Sequence, residues 1–177
     1  MFEDYLQDSH HFLLAAQKLS KQHNDRQARR LYRASVFYAS GAIESFINYI
    51  GDSFAKGNSI PKDEIRFLND KTLKFDAAKG FVEKTEYHRP DDKIRCVLRR
   101  FTPSFDFRSP TWSTFMEFKR FRDALVHPRA LDDDIELSQY SKEVTRGLAS
   151  IIDIMNDIST GVWQRPLRKQ LLDLIPD

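Results

Sequence analysis

Cysteine is nearly absent from this chain: Cys96 stands alone among 177 residues. A single thiol excludes an internal disulfide and suits a reducing compartment. Long apolar runs are missing as well, since no stretch approaches the roughly 20 residues that a helix needs to cross a bilayer. The opening Met1-Phe-Glu-Asp-Tyr-Leu-Gln-Asp8 carries acids where a secretion signal needs a basic start and an apolar run. The expectation is a cytoplasmic protein without a membrane partner. Neither sign of charge dominates: 28 Lys and Arg face 26 Asp and Glu, a net charge of +2. That excludes a general nucleic-acid coat and confines any such contact to a local patch. There is no glycine-rich phosphate loop, no G-x-S-x-G turn and no H-E-x-x-H. His10 and His11 are adjacent and cannot share a helix face, while His88 and Cys96 lack zinc-like spacing. No metal site and no cofactor is expected.

What is present is a globular composition, with 41% hydrophobic and 31% charged residues and 14 Phe for a bulky core. Residues 1–177 read as one domain with no repeat and no linker. Apolar residues recur at helical spacing from about Asp4 to Gln22, and again from about Asp25 to Phe54. The second of these helices is apolar nearly all round, which predicts a central position, and Gly41 and Ala42 would let a neighbour approach it closely. After Gly57-Asn58-Ser59-Ile60-Pro61, helical spacing resumes with Ile65, Leu68, Leu73, Phe75, Ala78 and Phe81. This predicts one interrupted helix or two. A short helix follows around Lys93 to Arg100, then one from about Trp112 to Val126. The next is entered by Asp132, Asp133 and Asp134 and ends at Gly161. A last short helix is expected after Pro166. No segment alternates with period two and no Asn-Gly or Asp-Gly turn separates apolar runs. The fold class is therefore all-α, a bundle of about five main helices without a sheet.

One residue breaks the pattern. On the helix that ends at His127-Pro128, Trp112, Phe115, Phe118, Phe121, Leu125 and Val126 share an apolar face, and Arg122 falls inside it. A guanidinium cannot shed its charge, so an anion must meet it. The plainer possibility is a salt bridge tying two core helices, for example with Glu44. The other is a ligand. Pro128 disfavours helical backbone at His127 and puts it at the cap, where the ring can turn toward the side of Arg122.

Phe121-Arg122-Asp123-Ala124-Leu125-Val126-His127-Pro128 resembles the R-x4-6-H signature of the HEPN superfamily, in which Asn or Asp often follows the Arg. Ala42-Ile43-Glu44-Ser45-Phe46-Ile47-Asn48 is similar to the acidic helix these domains carry, and the order of helices agrees. The resemblance implies a helical bundle that dimerises with motif residues of both copies facing one cleft. It implies a metal-independent endoribonuclease of the toxin, phage-defence or RNA-processing kind, or a relative that has lost activity and serves as a binding or dimerisation module. Carried over residue by residue, Arg122 and His127 would be catalytic and Asp123 would support them. An antitoxin or other protein partner is conceivable in that setting. A subset of the family carries Tyr two residues after the His as a target of modification; Arg129 stands there in this chain.

The chemistry is intelligible without the family. RNA cleavage by its own 2′-hydroxyl needs a base, an acid and a cation for the phosphorane. Two histidines across a two-fold axis supply the first two, and paired arginines the third. Glu44 lies in line with Ser40 and Asn48 on the central helix. That polar stripe suits either a role in aiming Arg122 and His127 or an interhelical hydrogen-bond network. Arg26, Arg29, Arg30 and Arg33 share a face at the start of the same helix. Basic residues there oppose the helix dipole, which suits phosphate contact as well as an ordinary solvated face.

Overall fold

The computed structural model describes residues 1–57, 59–127 and 135–175. Two long antiparallel helices, α1 (Phe2–Lys21) and α2 (Asp25–Gly57), form its base. The turn between them places His23 in the left-handed region at φ 58°. Leu6, Leu13 and Ala16 of α1 are fully buried. Ser9 and Ser35 are buried too, and each hydroxyl donates to the other residue's carbonyl, at 2.9 and 2.7 Å. This reciprocal pair satisfies two polar groups that would otherwise be costly inside the core. The ring of Tyr5 lies 3.3 Å from where a Cβ on Gly41 would stand, so the small residue does admit a close neighbour.

On α2, Tyr32, Val36, Ala39, Ala42, Ile43, Phe46, Ile47 and Ile50 are buried. Such a wide apolar surface is covered from several sides, by α1, α4 (Pro90–Phe101), α5 (Pro110–Val126) and α6 (Leu137–Trp163). The apolar stripe of α6, with Val144, Leu148, Ile151, Met155 and Ile158 all fully buried, faces that core. Where α5 crosses α6, the ring of Phe118 sits directly on Gly147; a Cβ there would meet the ring at 2.0 Å. Helix α5 starts on Pro110, with the Ser109 hydroxyl accepting the Trp112 N–H at 3.3 Å. A short α7 (Lys169–Leu172) closes the described chain. None of the described helices is long and apolar enough to cross a membrane.

The expectation of a structure without a sheet is overturned at one place. After α3 (Lys62–Leu68) the chain forms an antiparallel hairpin, β1 (Lys71–Asp76) and β2 (Gly80–Thr85), where helical spacing had been expected to continue through Phe81. Leu73, Phe75 and Phe81 fit an i, i+2 pattern as well as a helical one. The turn 76–79 is built on the Asp76 carboxylate, whose Oδ1 accepts the N–H groups of Ala78 and Lys79, followed by Gly80 at φ 75°. That is turn chemistry without an Asn-Gly or Asp-Gly pair. A second correction concerns Gly161. It does not end α6 but lies within it, where Phe101 and Thr102 pack so close that a Cβ would meet the Thr102 hydroxyl at 2.5 Å. The helix ends two residues later, with Gln164 left-handed at φ 55°. The acidic entry at Asp132, Asp133 and Asp134 lies outside the described residues, as do Pro128 and Arg129.

Candidate functional site

Arg122 stands one turn beyond Phe118 and takes its position from the seating of that ring on α6. Its Nη2 donates to Glu44 Oε1 at 2.6 Å, and its Nη1 lies 3.0 Å from Asp123 Oδ1. Glu44 therefore joins α2 to α5, as the plainer possibility requires. A quarter of the Arg122 side chain stays exposed, and 39% of that of Glu44. Lys119, one turn earlier, lies 3.6 Å from Asp123 and 3.4 Å from Asp91 at the start of α4. A string of alternating charge thus runs across three helices. On its inner side it borders a void of about 20 Å³ between Ile43, Phe115, Phe118 and Ile151. That is room for one water at most, so a ligand can reach Arg122 only from the open side.

His127 is the C-cap of α5, with φ −119° and ψ 66° and its backbone N–H bonded to the Asp123 carbonyl at 3.0 Å. The residue is exposed. Its ring makes no hydrogen bond with Glu44, Arg122 or Asp123, and its backbone lies about 7–8 Å further along the helix axis than that of Arg122. Within one chain, then, the two motif residues occupy the same helix end with no hydrogen bond between them.

The other site candidates divide. Asn48 is not brought to Arg122. It is exposed one turn beyond Glu44, and its Oδ1 accepts from Lys93 at 3.4 Å. Glu44 and Asn48 both line a hollow of about 740 Å³ along α2, which Glu3, Asp52 and Arg168 also border; neither Arg122 nor His127 lines it. Of the α2 arginines, Arg29 donates to the carbonyl of Ile135 and lies over the ring of Tyr140, and Arg33 donates to the Tyr140 hydroxyl at 3.3 Å. These two fasten the start of α6. Arg26 and Arg30 are exposed. Tyr140 also packs against Phe121 at 5.4 Å, so the arginine face lies at the same end of the bundle as the tail of α5.

A second polar cluster is absent from the sequence reading. Lys93 is only 3% exposed and is held by Asp70 Oδ2 at 2.7 Å. Asp70 Oδ1 accepts the His88 N–H at 2.8 Å, and the His88 ring packs against that of Phe67 at 4.4 Å, tilted by 52°. Burial pushes the Asp70 carboxyl up. The hydrogen bonds from Lys93 and His88, with their charges, outweigh it and hold the carboxyl below its ordinary range. One signal was available: Lys93 stands a turn before Val97, beside Ile94, on the buried side of a helix whose other basic residues are Arg95, Arg99 and Arg100. Half-buried Cys96 is less reactive than an ordinary thiol, because burial raises its pKa. Among the described residues, no three of His, Cys, Asp and Glu come together as metal ligands.

No protein-family model, curated protein or solved structure matches the chain.

Proposed function

We propose that this chain is a HEPN-like endoribonuclease that works as a two-fold dimer and cuts RNA without a metal ion. The observation that carries the reading is the state of Arg122. Glu44 and Asp123 hold two of its nitrogens, one edge is open, and its helix ends in the exposed His127. A guanidinium fixed in this way is aimed at no cost to a phosphate that arrives on the open side. In the reaction, His127 of one copy takes the proton of a 2′-hydroxyl as its oxygen attacks phosphorus. The bond from phosphorus to the 5′-oxygen then breaks, and His127 of the second copy delivers a proton to that oxygen. Arg122 stabilises the charge on the phosphorane. The products are a 2′,3′-cyclic phosphate and a 5′-hydroxyl, and positioned acid-base groups of this kind contribute about 10²–10⁴ in rate. Exposed Arg26 and Arg30 would meet the backbone of the RNA.

The test is cleavage of a structured RNA in EDTA with the ends identified. Cyclic phosphate ends formed in chelator support the reading, and activity that returns only with Mg²⁺ opposes it. Mixing His127→Ala with the parent protein tests the shared cleft. Activity falls with the square of the parental fraction if both histidines are needed, and in direct proportion to it if each copy works alone.

A second reading has an observation of its own. Two carboxylates already face the single charge of Arg122, which suits a silent dimerisation or binding module as well as an enzyme. A folded parent protein that forms a dimer yet cuts no RNA in chelator or in Mg²⁺, and whose dimer is lost in Arg122→Ala, would establish it.

A further inference from the structure

The β1–β2 hairpin has no buried residue, unlike the described helices, and much of what it shows to solvent is apolar. Its register sets Phe75 opposite Phe81 and Leu73 opposite Glu83. Directly opposed residues share a face, and so do residues two apart. Leu73, Phe75 and Phe81 therefore lie on one face, where they are 41%, 71% and 74% exposed. The two rings meet edge to face at 5.6 Å, leaving most of each π surface open. Tyr87, just past β2, is 74% exposed.

A two-stranded hairpin alone in water is marginal, yet this one is firmly rooted. Asp70 binds the N–H of Glu86 through its carbonyl, the N–H of His88 through one carboxylate oxygen and buried Lys93 through the other. Arg66 of α3 reaches Glu83 at 3.6 Å. A rigid root beneath a bare aromatic face marks a surface held out for contact.

Charge and area narrow the occupant. Of the hairpin lysines, Lys71 pairs with Glu83 at 2.7 Å and Lys74 with Glu86 at 3.4 Å. Lys79 and Lys84 have no ion-pair partner among the described residues; Lys84, opposite Thr72, is on the face away from the rings, which leaves Lys79 at the turn as the unpaired cation beside them. The third carboxylate, Asp76, is turned to the backbone of the turn. At their exposures the two rings and Leu73 offer roughly 300–400 Å², about half of what a stable protein interface buries on each side. Stacking needs no such area, because one base covers one ring and lysines meet the phosphates between.

We propose that this hairpin is a stacking platform for single-stranded RNA. Phe75 and Phe81 each take a base, and Lys79 at the turn meets the backbone. The preference for RNA over DNA rests on the ribonuclease reading above; the stacking itself does not.

The intact protein is titrated into a labelled oligouridylate about twelve nucleotides long, and into a duplex of the same length, with anisotropy as the readout. The single strand is expected to bind more tightly. Phe75→Leu and Phe81→Leu, which keep apolar bulk but lose the π face, should each weaken binding about tenfold. Lys79→Ala should lower the slope of log affinity against log salt by about 0.7, and Lys84→Ala, behind the rings, should leave it unchanged. The platform is overturned if the Phe75→Leu/Phe81→Leu double variant, with unchanged helical circular dichroism, binds the strand like the parent. It is overturned equally if a Phe75→Ala/Phe81→Ala double variant turns an oligomer into a monomer without changing RNA affinity, since a second copy then covers the face. Hairpin-dependent binding without any cleavage would sink the ribonuclease reading and leave the platform standing. Cleavage and binding that ignore both phenylalanines would do the reverse.

Discussion

Arg122 and Lys93 are both cations set on the buried side of a helix, both are met by a carboxylate from another element, and only one of them is accessible. Lys93 is 3% exposed, and Asp70 and Asn48 face its ammonium. It works as an internal clasp: the aspartate it holds closes the root of the hairpin. Arg122 keeps a quarter of its side chain open, at the end of a helix that presents a histidine. Its fork holds Glu44 and Asp123 and still faces solvent. A cation on an apolar face is thus a statement about pairing before it is one about function, and access separates the two. The residue types fit the division. A flexible ammonium suits a closed pocket with converging oxygens, and a planar fork suits a shared edge.

Removing the anion from each pair sharpens the contrast most. Asp70→Ala leaves Lys93 charged and buried and frees the His88 N–H, so it should cost about 3 kcal/mol in urea unfolding. Lys93→Ala should cost less, because Asp70 is partly exposed and can be rehydrated. Equal losses would show that Lys93 is not the closed partner described. Next in size is chemistry. Arg122→Ala and His127→Ala should each slow RNA cleavage by two or more orders of magnitude, about 2.7 kcal/mol of barrier, while Lys93→Ala protein that is still folded cuts at the parental rate. A comparable loss on changing Lys93 would erase the distinction between clasp and site.

Gly147→Ala tests whether the seat of α5 positions Arg122. The added methyl meets the Phe118 ring and should cost about 2 kcal/mol of stability. The fraction that folds should also cut more slowly, because Phe118 and Arg122 are one turn apart. Unchanged thermal midpoint and rate would mean that the ring moves freely. Arg122→Ala should lower stability by only about 1 kcal/mol, since Glu44 and Asp123 are both partly exposed and screened. A loss near that of Asp70→Ala would make Arg122 structural first. The smallest effect is acid sensitivity. The Asp70 carboxyl is held below its ordinary value of 3.8, so its contribution is complete above that pH and is lost as the pH falls through the lower value in the folded protein. The parent should therefore lose stability below about pH 4 with a slope that Asp70→Asn lacks.

Most helices were legible because their apolar periodicity is long. The all-round pattern of α2 gave its central place, and the stripe of α6 its buried face. The hairpin was not legible: Leu73, Phe75 and Phe81 satisfy helical and strand spacing alike, and its turn relies on an aspartate side chain rather than an Asn-Gly pair. Gly161 misled for a related reason. A glycine marks a stop or a close approach equally well, and only the packing of Phe101 and Thr102 against it says which.

Sequence alone determined that Arg122 must meet an anion, because a guanidinium cannot lose its charge on an apolar face, and it offered Glu44 as one partner. It also placed His127 at a helix end, through the proline that follows. The tertiary structure decided everything that depends on distance between elements. It gave Asn48 to Lys93 rather than to Arg122, spent Arg29 and Arg33 on Tyr140 and Ile135 while leaving Arg26 and Arg30 outside, and stood Phe75 and Phe81 in solvent. Periodicity reports which side of an element is apolar; which neighbour covers that side, or whether any does, is set by how the elements pack.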